Sequence, residues 1–482
     1  MFKKVLVANR GEIAVRVFRA LREMEIPSVA IYADQDVDSL HVHYADYSYP
    51  LYGTRARDTY MNIEKIIKLA KDVGADAIHP GYGFLSEKEE FAKAVEDAGI
   101  TFIGPKSDVI ALMGNKFAAR QMAQRLNVPL VPGENRAVET YEDALGIANR
   151  IGFPVLVKPA AGGGGKGMKI AFDDKELEDA FSQSRRLAQS VFGDSSVFVE
   201  KYFDDARHIE VQILGDKYGN VIHLGERECS IQRRFQKIVE ESPCSILNNE
   251  ERQQFFDCAV SIAKDAKYYG AGTVEFIYSR GKFYFLEMNT RVQVEHAVSE
   301  MVSGVDIVKE MILIAAGRQL SYKQEDIRCK GHSIECRIYA EDPLRGFIPT
   351  HETVSTYQTP EGIGVRIDSG IRVGASVSHH YDPMMAKLIV QGSDRKEAIM
   401  RMRRALDEFV IEGPTTNLNY LKAIMESQVF LNSEANTKFI EYEHDNLLEL
   451  ARQMPIWKLK KLKDMEYLNN LANDITMPNL PY

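Results

Sequence analysis

Glu287, Asn289, Arg291, Gln293 and Glu295 recur at every second position of the stretch Phe285 to His296. Side chains of an extended chain alternate between faces, so these polar residues share one face, and Met288, Val292 and Val294 share the other. Two carboxylates, two amides and a guanidinium in one row make a poor core. They suit a magnesium–nucleotide site with a second anion beside it. Carboxylates hold magnesium in partnership with phosphates, and arginine grips a carboxylate or phosphate through two parallel hydrogen bonds. The plain alternative is a solvated face of an antiparallel sheet.

A second apolar run, Thr273 to Tyr278, carries one acid, Glu275. Ser279-Arg280-Gly281 separates it from Lys282-Phe283-Tyr284-Phe285 and fits a three-residue hairpin loop with glycine at its left-handed position. That register sets Glu275 opposite Phe285, with Glu287 as its diagonal neighbour on the same face, about 7–8 Å away. A two-residue loop would instead put the two acids on opposite faces.

Two further stretches point to anions. Phe153 to Pro159 reads as a strand carrying Lys158, followed by Ala160, Ala161, Gly162, Gly163, Gly164, Gly165, Lys166, Gly167 and Met168. Such glycines let backbone amides close around phosphate oxygens. The loop is not of the Walker type, because no Lys-Ser/Thr pair follows the glycines. A flexible linker is the bland reading, but linkers are usually Gly/Ser repeats. Glu226 to Lys237 holds a dense basic cluster, Gln232-Arg233-Arg234-Phe235-Gln236-Lys237, on an acidic protein. That suggests an anion, against the alternative of a solvated loop.

The chain around these residues has 482 residues, 45% hydrophobic and 27% charged, with 9% aromatics. This is the composition of a globular enzyme of two to four domains. A net charge of −9 argues against a nucleic-acid partner. The five cysteines are scattered without metal-ligand spacing, so reduced thiols in a cytoplasmic protein are expected. The apolar run at the N-terminus is too short for a signal peptide, and none reaches membrane-spanning length. There is no internal repeat.

In chain order, Lys4 to Ala8 reads as a buried strand. A helix follows from about Ile13 to Met24, with Ala14, Val17, Phe18 and Leu21 on one stripe. Strand and helix then alternate: strands at 29–32, 77–79 and 101–103, helices near 62–72 and 87–98. This predicts a doubly wound, Rossmann-like sheet. The dinucleotide fingerprint is missing, since the first turn offers only Gly11. The loop Pro80 to Glu87 lies beyond a strand end, where such sheets bind ligands. Strands are expected at 197–203, 208–214, 221–224 and 333–339, and helices at about 304–317, 394–409 and beyond 446.

Together these motifs resemble biotin carboxylase, of the ATP-grasp superfamily. The resemblance runs from Val5 to about residue 440. It is carried by Ala8 to Ala14, His79 to Leu85, the 158–168 loop, Gln232-Arg233-Arg234, Gln236-Lys237 and Glu287 to His296. It implies an α/β and α+β protein: a Rossmann-like N-terminal domain at 1–115 and an ATP-grasp domain at 116–330 with a mobile lid at about 131–203. A mixed, β-rich C-terminal domain at 331–445 and a tail at 446–482 complete it.

The implied reaction is ATP-dependent activation of bicarbonate to carboxyphosphate, followed by carboxylation of biotin's ureido nitrogen. The resemblance places Lys116, Lys158, Gly162 to Gly167 and Met168 on ATP phosphates, Glu200, Lys201, Tyr202 and Phe203 at the adenine, and His208 and Gln232 along the nucleotide. It makes Glu275, Glu287 and Asn289 the ligands of magnesium or manganese. Lys237, Arg291, Gln293 and Val294 form the bicarbonate pocket and Glu295 is the base. Arg337, with Arg291, steadies the biotin enolate; Tyr82 contacts biotin; Arg19, Glu23 and Arg366 form a homodimer interface. Phe235 stands where the family often has histidine, and Ala297 where it usually has proline.

No Met-Lys-Met biotinylation site occurs, Met168-Lys169-Ile170 being the nearest match. The expected partners are therefore a separate biotin carboxyl carrier and a carboxyltransferase subunit, with neither nucleic acid nor membrane. One rival is another ATP-grasp ligase forming an acyl or carbamoyl phosphate. The other is a non-catalytic nucleotide-binding regulator, which would be expected to lack an intact metal–base–arginine row.

Overall fold

Val5, Leu6 and Val7 are all buried, and successive side chains enter different cores. Val5 and Val7 pack with Ile13, Val17 and Phe18, whereas Leu6 packs with Ile66, Phe91 and Val95. A strand covered on both faces belongs in a parallel sheet between helices, and the structure builds one. The strands β1 (Val5–Val7), β2 (Ser28–Tyr32), β3 (Tyr47–Pro50), β4 (Ala77–His79) and β5 (Thr101–Phe102) pair in parallel in the order β3-β2-β1-β4-β5. Helices α1 (Gly11–Glu23), α2 (Leu40–Tyr44), α3 (Ile63–Asp72) and α4 (Glu89–Asp97) connect them. The structure is a computed structural model and describes residues 1–160 and 167–454. Gly162, Gly163, Gly164, Gly165 and Lys166 of the glycine loop, and the tail beyond 454, lie outside the described residues.

The loops after β1 and β4 leave the same end of this sheet and are tied together. Asn9 Nδ2 donates to the carbonyls of Pro80 at 2.8 Å and Tyr82 at 2.7 Å. Gly81 sits at φ +62, and a Cβ there would lie 2.8 Å from Asn9 Nδ2. Glycine thus lets the two loops touch and aims Tyr82 and Glu12 into one space.

Helices α5 (Ser107–Gly114) and α6 (Lys116–Arg125) lead to a small α+β unit. It holds α7 (Tyr141–Ile151), β6 (Val155–Pro159), β7 (Lys169–Ala171), α8 (Asp174–Phe192) and β8 (Val197–Lys201), with an antiparallel sheet ordered β7-β6-β8.

The rest is organised by an eight-stranded sheet, β13-β12-β9-β10-β11-β14-β19-β18. Its members are β9 (Arg207–Gly215), β10 (Val221–Arg233), β11 (Gln236–Ser242), β12 (Gly270–Ser279), β13 (Lys282–Asn289), β14 (His332–Tyr339), β18 (Val365–Ser369) and β19 (Met384–Gly392). Short strands β15 (Glu341–Asp342), β16 (Ile348–Pro349) and β17 (Thr356–Gln358) lie between β14 and β18, and β20 (Val410–Glu412) pairs with β17. Helix α9 (Asn249–Asp265) starts at a capping box in which Asn248 and Glu251 bond each other's backbone. Asn248 and Glu251 stand three residues apart in the sequence, the spacing that marks such a start, yet the apolar pattern of this segment predicts no helix strongly enough to be read there.

The helix expected at about 304–317 is α11 (Ile307–Ala315); a further helix not expected from the sequence, α10 (His296–Ser303), precedes it and ends at Gly304, which is left-handed with φ +73. Helices α12 (Arg395–Glu408), α13 (Leu418–Glu426), α14 (Gln428–Leu431) and α15 (Phe439–Gln453) close the C-terminal core.

Two expectations about the central row need correction. The hairpin joining β12 to β13 has a two-residue turn, with Ser279 paired to Lys282 and both Arg280 and Gly281 at positive φ. This is the backbone of a primed turn. The acids nevertheless share a face, because the register shifts between Glu275 and Phe276: Phe276 pairs with Phe285 and Glu275 with Glu287, leaving Leu286 as the extra residue of a bulge. Second, β13 ends at Asn289. Arg291, Gln293 and Glu295 are carried by a turn that runs into α10.

Candidate active site

A cavity of about 1040 Å³ opens between the β1 and β4 loops, the small α+β unit and the long sheet. It is lined by Lys116, Lys158, Met168, His208, Gln232 and Glu287, and by Tyr82, Glu12 and Arg337. Glu275, Asn289, Arg291, Gln293, Val294, Glu295 and Lys237 lie along it. Of the residues expected at the adenine, Glu200, Lys201, Tyr202 and Phe203 do not line this cavity. Glu200 pairs with Lys158 and Arg120, Lys201 Nζ bonds the carbonyls of Gly152 and Phe153, and the Phe203 ring stacks on Tyr284. Arg19, Glu23 and Arg366 lie outside the lining. Arg366 is bonded within the chain to Glu300 at 2.7 Å and Asp368 at 2.8 Å.

Lys237 is the hub. Its ammonium donates to Glu210 Oε2 and Glu295 Oε1 at 2.6 Å each, and to Glu275 Oε1 at 3.2 Å. Arg337 closes the other side of Glu295, with Nη2 at 2.8 Å from Oε2, while its Nε donates to Glu240 at 2.6 Å. Burial alone would raise the Glu295 carboxyl, but Lys237, Arg337 and Arg227 outweigh it and hold the group at about 2. Glu295 is therefore ionised.

Gln293 donates to Glu275 at 2.7 Å and accepts from Arg227 at 2.7 Å. Asn289 donates to Glu275 at 2.8 Å. Arg291 reaches Asn289 Oδ1 at 3.1 Å and pairs with Glu87 at 2.8 Å, linking the central row to the β4 loop.

The carboxylates can be tested as a cation site. Burial raises Glu287, and the like charge of Glu275 across the strand pair raises it further, against the pull of Lys116. Crowded acids of this kind are relieved by a divalent cation, so Glu275, Glu287 and Asn289 fit magnesium. His208 lies 3.1 Å from Glu275, and although burial disfavours its charge, Glu275 raises it to about 9. Lys116 is lowered by burial and by Lys158 nearby. Lys116 and Lys158, two cations crowded together on the cavity wall, call for an anion, as a triphosphate would supply.

Sequence reasoning left several contributors unassigned. Glu210 and Gln212 alternate with His208 on β9, the same period-two signal that marked the central row. Arg227 is fully buried and fans out to Glu210, Gln212, Gln293, Ser299 and Thr273. The strand expected at 221–224 runs on to Arg233, so Arg227, read in the sequence as part of a basic cluster, is an arginine in the middle of a strand. Glu12 accepts from the Tyr82 hydroxyl, a pairing across distant segments that no local pattern encodes.

Three family models match in chain order: biotin carboxylase, N-terminal domain, over residues 1–110; carbamoyl-phosphate synthase L chain, ATP-binding domain, over 115–323; and biotin carboxylase C-terminal domain over 335–442. Biotin carboxylase 1 of Bacillus subtilis is 49% identical over 443 residues, 92% of this chain and 98% of that protein. The 2-oxoglutarate carboxylase small subunit of Hydrogenobacter thermophilus is 49% identical over 452 residues, 94% of this chain and 95% of that protein. Among solved structures, the biotin carboxylase domain dimer of the Hydrogenobacter thermophilus 2-oxoglutarate carboxylase, in complex with MgADP, ADP and bicarbonate, superposes with a TM-score of 0.88. It has 49% identity and covers 92% of this chain and 98% of that one.

Proposed function

This chain belongs to the biotin carboxylase family, and we infer that its cavity carries out ATP-dependent carboxylation of biotin with bicarbonate. The observation that carries the reading is Glu295 held ionised between Lys237 and Arg337, beside the paired acids Glu275 and Glu287.

Lys116 and Lys158, with the glycine loop, are assigned to the phosphates of ATP, and His208 and Gln232 to the sides of the nucleotide. The backbone of Glu200 to Phe203 is assigned to the adenine. Glu275, Glu287 and Asn289 would hold magnesium, which neutralises charge on the transferring phosphoryl group. Bicarbonate is assigned to Lys237, Arg291, Gln293 and the Val294 backbone. It is a poor nucleophile until it loses its proton, so a carboxylate base close to the anion is required.

At about 2, Glu295 binds protons weakly in the free protein. Bicarbonate entering beside Lys237 adds a like charge and takes a share of the ammonium. Both changes raise the Glu295 carboxyl and make it a better base. Arg291 and Arg337 are permanent cations, suited to the negative oxygen of the biotin enolate. Tyr82 and Arg337 form the biotin end of the cavity.

Biotin enters as a substrate on a carrier protein, and a carboxyltransferase subunit takes the carboxyl group onward. Arg19, Glu23 and Arg366 are assigned to a homodimer contact. Among the described residues no helix is long and apolar enough to cross a membrane. The test is ATP cleavage that depends on bicarbonate and rises with free biotin. Cleavage indifferent to biotin would favour a ligase that stops at an acyl or carbamoyl phosphate.

A further inference from the structure

We infer that Lys387 is a positioning residue for this reaction: its ammonium fixes the Val294 carbonyl and, through it, the turn that carries Gln293 and Glu295. The inference rests on the function proposed above.

Lys387 lies in β19 and its side chain is fully buried. The register sets Arg337 of β14 opposite Lys387, and Lys387 opposite Asp368 of β18. Directly opposed residues share a face, so the three form a row across three strands. The 290–295 turn crosses that row and is gripped at two consecutive residues. Arg337 takes the Glu295 side chain at 2.8 Å, and Lys387 Nζ takes the Val294 carbonyl oxygen at 2.6 Å.

Charge balance alone does not explain the lysine. Of its acidic neighbours, Glu12 lies at 3.5 Å and Asp368 at 3.8 Å, and the buried Glu335 of β14 makes no hydrogen bond to it. Glu12 has a nearer partner in the Tyr82 hydroxyl, and Asp368 in the Arg366 guanidinium at 2.8 Å, while burial pushes the Glu335 carboxyl well above the usual carboxylate range and so disfavours its charge. The short bond made by Lys387 is to the active-site turn. Burying an ammonium costs several kcal/mol unless it is well bonded. Because the peptide is planar, fixing the Val294 carbonyl fixes the plane from which Glu295 projects. A displacement of about 1 Å at such a group can cost about 100-fold in rate.

The test replaces Lys387→Met, which keeps the apolar stem and removes donor and charge. A second variant adds Glu12→Gln and Glu335→Gln, so that neither carboxyl left without the ammonium carries a charge, and is compared with the protein bearing those two changes alone. Bicarbonate kcat/KM for ATP cleavage with biotin, MgADP affinity and the rescue by Lys387→Arg are measured. The expected result is a loss of about tenfold or more in bicarbonate kcat/KM, with MgADP affinity within about threefold and partial recovery in the arginine variant. Bicarbonate kcat/KM within twofold of the matching parent would overturn the inference. So would loss of nucleotide binding together with the fold in both methionine variants, since Lys387 would then be a structural counter-ion. If the unaltered protein shows no bicarbonate-dependent cleavage, the proposed function itself falls, and this inference with it.

Discussion

Glu275 and Glu287 stand directly opposite one another on adjacent antiparallel strands, aligned by the single extra residue Leu286. Without that bulge the two-residue turn would send one of them to the far side of the sheet. The pairing concentrates negative charge where the account puts magnesium. Glu287→Gln should therefore abolish magnesium-dependent ATP cleavage while leaving the thermal transition within a few degrees of the parent. Turnover at the parent rate in ordinary magnesium would remove Glu287 from the metal site.

Arg291 bonds Asn289 and Glu87. Arg291→Ala should lower biotin carboxylation about 10²–10³-fold, the loss typical of one oxyanion donor. Glu87 keeps the Thr290 backbone N–H and is partly exposed, so the fold should tolerate the change. MgADP affinity measured by calorimetry should move only a few-fold. An equal loss of both properties would make Arg291 a nucleotide ligand instead.

Glu241 offers a test of stability away from the cavity. Burial would raise its carboxyl, but His332 at 2.8 Å and Arg395 at 2.8 Å hold it down at about 2, against an ordinary 4.5. A depressed carboxyl stabilises the fold fully above its unfolded value, and that stabilisation is lost as pH falls from 4.5 through about 2. The depression corresponds to about 3 kcal/mol at neutral pH. Urea unfolding of Glu241→Gln should show a deficit of that order at pH 7, narrowing as the buffer is taken below 4.5. A deficit independent of pH would mean that lost packing, not lost charge, is responsible.

Much of this site was legible because its residues recur with a strand's period. Glu287 to Glu295 and His208 to Gln212 each display polar groups at alternate positions, and the strands that present them are apolar on the other face. What local pattern could not show is where the strand stops. Beyond Asn289 the chain turns into α10; Gln293 and Glu295 are held by Arg227, Lys237 and Arg337 from neighbouring strands, and Arg291 by Glu87 and Asn289. The Leu286 bulge left no local mark, since Phe283, Phe285 and Leu286 are all apolar and no glycine, proline or turn residue singles out the extra position. Lys387 and Glu12 were invisible for a different reason: their partners are far along the chain, and their burial follows from how the N- and C-terminal segments close on each other.

The central claim is that Glu295 takes the proton from bicarbonate. It is tested most directly by transfer of labelled bicarbonate to free biotin at saturating MgATP, with Glu295→Gln run beside the unaltered protein. The account predicts transfer by the unaltered protein and a rate at least about 100-fold lower in the variant, the lower bound for loss of a general base, with MgADP affinity unchanged within a few-fold. A variant that transfers label within a few-fold of the parent rate at neutral pH would contradict it.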